Sequence, residues 1–383
     1  MLLGHLARPR SPRSHPTSRR ALPGLLLLVV AALVAAVLPG AGGSASAAGV
    51  PSVITLSGPA KVVDEQAITL TITWRTADDR PVPGTVALQQ KVDGSWRTKT
   101  DLQTNLEGYL QVRLRPRTDS RWRAVGRANA LAAKTTSTVH RVDNLPPGKV
   151  VKLPERAPRP RTSPGKQPRA TGAGPRPVIS GIPSSTWRSM VGRSWHRGCP
   201  VGRSGLRLLR ISYWDYAGYR RRGELVAAAS VIRQMSAALS DMYRAQLPIR
   251  SMFRVDRFGW SSRMQGGNDN GSMAAGNTSA FNCRWVNGRP GVRSPHSYGR
   301  ALDLNTWENP YHASYGWTPD AWWRGHSHQR VAWRSRAHEV VRIMRAHGLR
   351  WTYGNADSQH FDAVPRGGRA LVVPGCGPGT VCD

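Results

Sequence analysis

The chain has 383 residues, room for about two domains once tails are set aside. Hydrophobic residues make up 39% and 14 tryptophans are present, which excludes a wholly disordered chain. Lysine and arginine number 55 against 22 acids, and the resulting net charge of +33 favours a polyanionic neighbour: nucleic acid, an anionic membrane or an acidic cell wall.

Residues 1–47 read as a signal peptide. Arg8, Arg10, Arg13, Arg19 and Arg20 form a basic leader without an acid, Leu25 to Leu38 is apolar, and Ala45-Ser46-Ala47 fits a small-residue cleavage site. The apolar run is short for a membrane span and is followed by Pro39, Gly40, Gly42 and Gly43. Cleavage is therefore expected in preference to an uncleaved anchor, giving a secreted or wall-associated protein with no stable membrane span. Export permits disulfides. Cys376 and Cys382 flank a short Gly/Pro-rich loop and are paired, which leaves Cys199 with Cys283.

Residues 50–142 are expected to be all-β. Ile68, Leu70, Ile72 and Trp74 alternate with Thr69, Thr71 and Thr73, as a half-buried strand requires. Further short strands hold Val86, Leu88, Trp96, Leu110, Val112, Leu114, Trp122 and Ala124. Turn signals lie between them at Pro83-Gly84, Asp93-Gly94 and Glu107-Gly108. This spacing suggests a sandwich of immunoglobulin-like type, acting as a spacer or wall-binding module. Residues 143–178 read as a Pro/Arg-rich linker. Between Pro146 and Pro177 there are nine prolines, eight Lys/Arg and one acid, a composition suited to an extended, solvated tether.

Residues 179–383 form the second domain, expected to be α+β. Leu225, Ala229, Ile232, Met235, Leu239 and Met242 give helical spacing over Glu224 to Gln246, and Pro248 ends that helix. Ile249 to Val255 reads as a strand. Val331 to His347 reads as a second helix capped by Gly348, and Trp351 to Tyr353 as a strand. There is no internal repeat, P-loop or dinucleotide fingerprint.

The chemistry lies in Ser294-Pro-His-Ser-Tyr-Gly-Arg-Ala-Leu-Asp303 and in Asp357-Ser-Gln-His-Phe-Asp362. His296, Asp303 and His360 offer two imidazoles and a carboxylate, a three-ligand set that leaves zinc an open position. A turn at Gly299 into a strand at Ala301 to Leu304 could aim the first two at one metal. Asp357 is the spare carboxylate and the expected general base, with Asp362 as its local rival. His326 and His328 could also bind metal, but no neighbouring base accompanies them.

These blocks resemble the zinc D-alanyl-D-alanine carboxypeptidases of the VanY type, a family that includes endolysin L-alanyl-D-glutamate peptidases. The resemblance rests on the S-x-H-x-x-G-x-A-x-D signature at Ser294 to Asp303, on Asp357 to Phe361, and on Asn277 to Arg284 (N-T-S-A-F-N-C-R), a block found in actinobacterial members. It runs from about Cys199 to Asp362. It implies Zn2+ held by His296, Asp303 and His360, Asp357 as base, and Arg284 as a group that stabilises the oxyanion or holds the substrate carboxylate. It also implies a peptide bond of the peptidoglycan stem as substrate. Asp357 stands where carboxypeptidase members often carry Glu, which leaves carboxypeptidase and endopeptidase action both open. The rival reading is a non-catalytic wall- or polyanion-binding protein with a structural metal site. A nucleic-acid binder is disfavoured, because no such motif occurs and the chain carries an export signal.

Overall fold

The computed structural model describes residues 49–160 and 162–369, together with Leu371 and Val381. The expected signal peptide and the Cys376–Cys382 pair lie outside the described residues. The chain is mostly strands with few helices, and no described helix is long and apolar enough to cross a membrane.

Nine strands make up the first part: β1 (Ser52–Ser57), β2 (Lys61–Val63), β3 (Ile68–Thr76), β4 (Thr85–Val92), β5 (Ser95–Gln103), β6 (Tyr109–Leu114), β7 (Ser120–Gly126), β8 (Thr135–Thr136) and β9 (His140–Leu145). One sheet runs β1-β3-β6. The other runs β2-β9-β7-β4-β5, with β8 on β7. The alternation seen in β3 is real: Leu70, Ile72 and Trp74 are fully buried. They meet Val86, Leu88, Trp122 and Val142 from the other sheet, so the two sheets share one core.

The second part opens with β10 (Val178–Ser180) and α1 (Ser184–Met190). It continues through β11 (Leu206–Trp214), β12 (Arg220–Ala228), α2 (Ile232–Arg244), β13 (Trp260–Ser261), β14 (Gly266–Gly267) and α3 (Asp269–Ala274). Two short hairpins follow: β15 (Trp285–Val286) with β16 (Arg289–Arg293), and β18 (Tyr311–Ala313) with β19 (Gly316–Thr318). Between the hairpins lies β17 (Ala301–Asp303); α4 (Glu339–Ala346), β20 (Leu349–Arg350) and β21 (His360–Ala363) complete the domain. The sheets β10-β11-β12 and β17-β21-β20 bury Leu209, Ile211, Leu225, Leu302 and Phe361 in one core with α2 and α4.

Four expected elements change. The helix over Glu224 to Gln246 begins only at Ile232, because Leu225 to Ala228 continue β12 against β11. That stretch is buried on both faces, Leu225 in one core cluster and Val226 in another, which hides the strand alternation. Ile249 to Val255 forms no strand. Its backbone N–H groups donate instead to side-chain amides: Arg250 to Asn305, Met252 to Gln167 and Phe253 to Asn277. The second helix is confined to α4, whose start is set by the His338 imidazole accepting from Val340 N. Upstream, Val331, Ala332 and Trp333 are buried in irregular chain. The strand expected at Trp351 to Tyr353 lies two residues earlier, at Leu349 and Arg350.

The segment expected to be a solvated linker is laid against the second domain. Its prolines lack N–H groups but keep their carbonyls. Arg222 N donates to Pro168 O, Ser212 N to Pro175 O, and the Trp307 indole to Pro158 O. Gln167 is buried and anchors the strap, accepting from the Tyr213 hydroxyl and donating to Met252 O. Composition alone registers the missing donors and not these acceptors.

Gly299 closes the turn that leads into β17. It is left-handed, with φ of 64°, and a Cβ there would sit 2.6 Å from Ala228 N. Gly291 is also left-handed but opens onto empty space. Gly291→Ala is thus expected to cost about 1–2 kcal/mol from backbone conformation alone. Gly299→Ala adds a clash with main chain and is expected to cost about 3 kcal/mol or more. Urea midpoints of the two variants check this; equal losses would contradict the close approach.

Candidate metal centre

Strand register brings the first two candidate ligands together. Asp303 on β17 is directly opposite His360 on β21, so their side chains share one face. His296 arrives from a 3₁₀ turn at Pro295–Tyr298, begun by Pro295 and capped by Ser294, whose hydroxyl accepts from His296 N. The Gly299 turn then carries the chain seven residues on to Asp303.

The geometry is tight. His296 Nε2 is 3.1 Å from Asp303 Oδ2, His360 Nδ1 is 3.3 Å from Asp303 Oδ1, and the two ring nitrogens are 3.3 Å apart. All three residues are buried. The outward nitrogens have acceptors of their own: His296 Nδ1 lies 2.5 Å from Ala280 O, and His360 Nε2 lies 3.1 Å from Asp362 Oδ1. Each contact assigns a proton to the outer nitrogen and turns the lone pair of the inner one toward Asp303. With protons on those outer nitrogens, three acceptor atoms converge on one buried point. A divalent cation satisfies that arrangement, and two imidazoles with one carboxylate suit zinc.

Asp362, the local rival to Asp357, lies against the outer side of His360. It touches the side of His360 turned away from the other two ligands, and Thr352 Oγ1 donates to its second oxygen at 2.5 Å. Burial opposes its ionisation, but the His360 contact and the Thr352 hydroxyl outweigh that and hold the carboxyl below its ordinary range. Asp362 is placed to orient His360.

Asp357 caps the 3₁₀ turn Gly354–Ala356, is fully buried, and pairs through its backbone with Tyr311. Three residues later the chain reaches His360 at the head of β21. Arg284 is also buried. Its backbone is locked to the histidine turn, with Arg284 N donating to Ser297 Oγ at 3.0 Å and the Ser297 hydroxyl returning to Arg284 O at 2.9 Å. The guanidinium Nη2 is 2.9 Å from Asp269 at the start of α3. No local sequence signal marks Asp269. It lies 15 residues before Arg284 in an unremarkable polar stretch, and only the fold pairs them.

The expected Cys199–Cys283 disulfide is present, with Cα atoms 5.9 Å apart, and it fixes the residue just before Arg284. His196, Cys199 and Cys283 form the second metal-like cluster among the described residues, but both sulfurs are in the disulfide and neither is a thiolate. His326 stacks on Trp322 and bonds its carbonyl, while His328 faces Lys152 O and accepts from Arg330 N. Neither joins a metal cluster.

Residues 287–363 match a family model described as D-alanyl-D-alanine carboxypeptidase. The matched segment contains His296, Asp303, Asp357 and His360 but neither Asp269 nor Arg284, and it supports a peptidase of this general kind. No curated protein matches the chain. Among solved structures, a superoxide reductase (neelaredoxin) from Ignicoccus hospitalis is 11% identical over 26% of this chain and 83% of its own, with a TM-score of 0.21. The sulfur carrier protein SoxY from Chlorobium limicola is 13% identical over 24% of this chain and 73% of its own, with a TM-score of 0.18. Neither likeness bears on the site.

Replacing the partner of His360 Nε2 tests the orientation. Asp362→Asn is expected to weaken zinc binding about 10- to 100-fold, measured by competition with a chelating dye. Asp241→Asn, which alters the surface partner of His347, should leave it unchanged. Equal affinity in both variants would remove Asp362 from the centre.

Proposed function

We propose that this chain is a secreted, zinc-dependent peptidase that hydrolyses a peptide bond in the peptide stem of peptidoglycan. The observation that carries this reading is the buried convergence of His296 Nε2, His360 Nδ1 and the Asp303 carboxylate, with both outer nitrogens already partnered. The family match over residues 287–363 supports the substrate class, and the export signal read at the N-terminus supports the compartment.

When bound, a zinc ion supplies Lewis-acid activation of water and of the scissile carbonyl. His296, Asp303 and His360 hold it; Ala280 O and Asp362 keep the two imidazoles in the right tautomers. Asp357 accepts the proton from the attacking water and returns it to the leaving amine. Its burial among closely packed chain favours a fixed orientation for that transfer. Arg284, steadied by Asp269 and by the Ser297 hydroxyl, donates hydrogen bonds to the developing oxyanion. The carboxylate at position 357 is an aspartate, and the proposal covers both carboxypeptidase and endopeptidase action on the stem.

The β-sandwich at residues 50–142 is read as an immunoglobulin-like wall-binding module preceding a peptidase domain at 179–383. Support comes from the two-sheet order, with β2 parallel to β9 at the edge of the larger sheet.

Digestion of purified peptidoglycan, followed by mass spectrometry, tests the proposal. New amino and carboxyl ends within the stem are expected, and a chelator should abolish them. Asp357→Asn should retain zinc while turnover falls roughly 10²–10⁴-fold. Cleavage that survives chelation, or a fully active Asp357→Asn enzyme, would overturn the assignment.

A further inference from the structure

The outward face of the larger β-sheet carries a feature that peptide hydrolysis does not use. Trp122 is in the sandwich core, so Arg121 and Arg123 on the same strand point to solvent. Arg121 is paired directly with Arg141 on β9. On the other side, Gln90 pairs with Trp122, and continuing that register by one residue sets Lys91 opposite Arg121. Lys91 pairs in turn with Trp96 on β5. A row of Trp96, Lys91, Arg121 and Arg141 thus crosses four adjacent strands, with Arg123 beside it.

Like charges placed directly opposite one another destabilise a sheet. Here the charges are barely compensated. Asp143 pairs with Arg141 at 2.7 Å, but among the described residues no carboxylate forms an ion pair with Lys91, Arg121 or Arg123. The row is organised rather than loose. The Arg123 guanidinium lies 4.5 Å from the Trp96 ring centre and donates to Gln89 Oε1 at 2.8 Å. Gln89 in turn donates to Thr98. The Lys91 ammonium lies 6.0 Å from the same ring. Strand spacing of about 4.8 Å puts successive cations within reach of successive charges on an extended polymer. Arginine forks match phosphate oxygens in pairs.

We propose that this face binds a linear phosphodiester polymer of the cell envelope, laid across strands β5, β4, β7 and β9. The row crosses strands inside one sheet, with no helix in it to enter a nucleic-acid groove, which favours a simple anionic chain over a duplex. The envelope setting rests on the export reading given under the proposed function; the cationic row does not.

The test uses the full chain and purified poly(glycerol phosphate), with binding followed across a salt series. Lys91→Glu combined with Arg121→Glu is expected to lower affinity by roughly tenfold or more and to flatten the salt dependence. Arg113→Glu combined with Arg115→Glu makes the same change in net charge near β6 of the opposite sheet, and is expected to alter affinity less than about twofold. Trp96→Ala should give an intermediate loss. Equal weakening by both double variants would reduce the effect to net charge and overturn the proposal, as would tight binding of duplex DNA with none to the polymer. Cleavage of a soluble stem peptide should be unchanged in every variant, so failure of the peptidase reading remains distinguishable.

Discussion

Three hydrogen-bond acceptors face one another at the centre of the second domain, and much of the local structure holds them there. With protons on the outer nitrogens, His296 Nε2, His360 Nδ1 and Asp303 present only lone pairs and negative charge to a buried point. Such an arrangement is costly in a low-dielectric interior unless a cation occupies it. The antiparallel pairing of Asp303 with His360 sets two of the groups, and the left-handed Gly299 turn against Ala228 sets the third. Ala280 O and Asp362 oppose relief by tautomer change, because a proton moved inward would take the imidazole donor from Ala280 O and from Asp362 Oδ1.

A second layer keeps the neighbouring charges in place. Arg284 follows a disulfide-linked cysteine, is tied twice to the Ser297 hydroxyl, and meets Asp269 across the start of α3. Burying an arginine is tolerable only with such partners. At the domain boundary, Asp64 beside β2 accepts from Arg117 and lies 3.2 Å from Arg169, while Arg220 of β12 reaches Glu65. The proline-rich strap thus joins the β-sandwich to the second domain through specific contacts.

The clustering of His296, Asp303 and His360 was legible in the sequence, since they lie in two short blocks with a glycine at the one position where the turn demands it. The strand at Ile68–Trp74 was legible for a similar reason, its period-two pattern reflecting one buried and one exposed face. Failures fell where burial or side-chain bonding overrode local pattern. Leu225 to Ala228 is buried on both sides and lost its strand period. Ile249 to Val255 satisfies its backbone with amide side chains from distant segments, which no local window reveals. The pairing of Asp269 with Arg284 and the contact of Asp362 with His360 depend on the folded chain.

The position of a bound metal is the most direct measure of whether these three side chains form the centre. Crystals grown with equimolar zinc and measured at the zinc absorption edge are predicted to show one anomalous peak within about 2.0–2.2 Å of His296 Nε2, His360 Nδ1 and an Asp303 oxygen. A peak on His326 or His328, a peak bonded to the opposite ring nitrogens, or no peak between the three residues would contradict it.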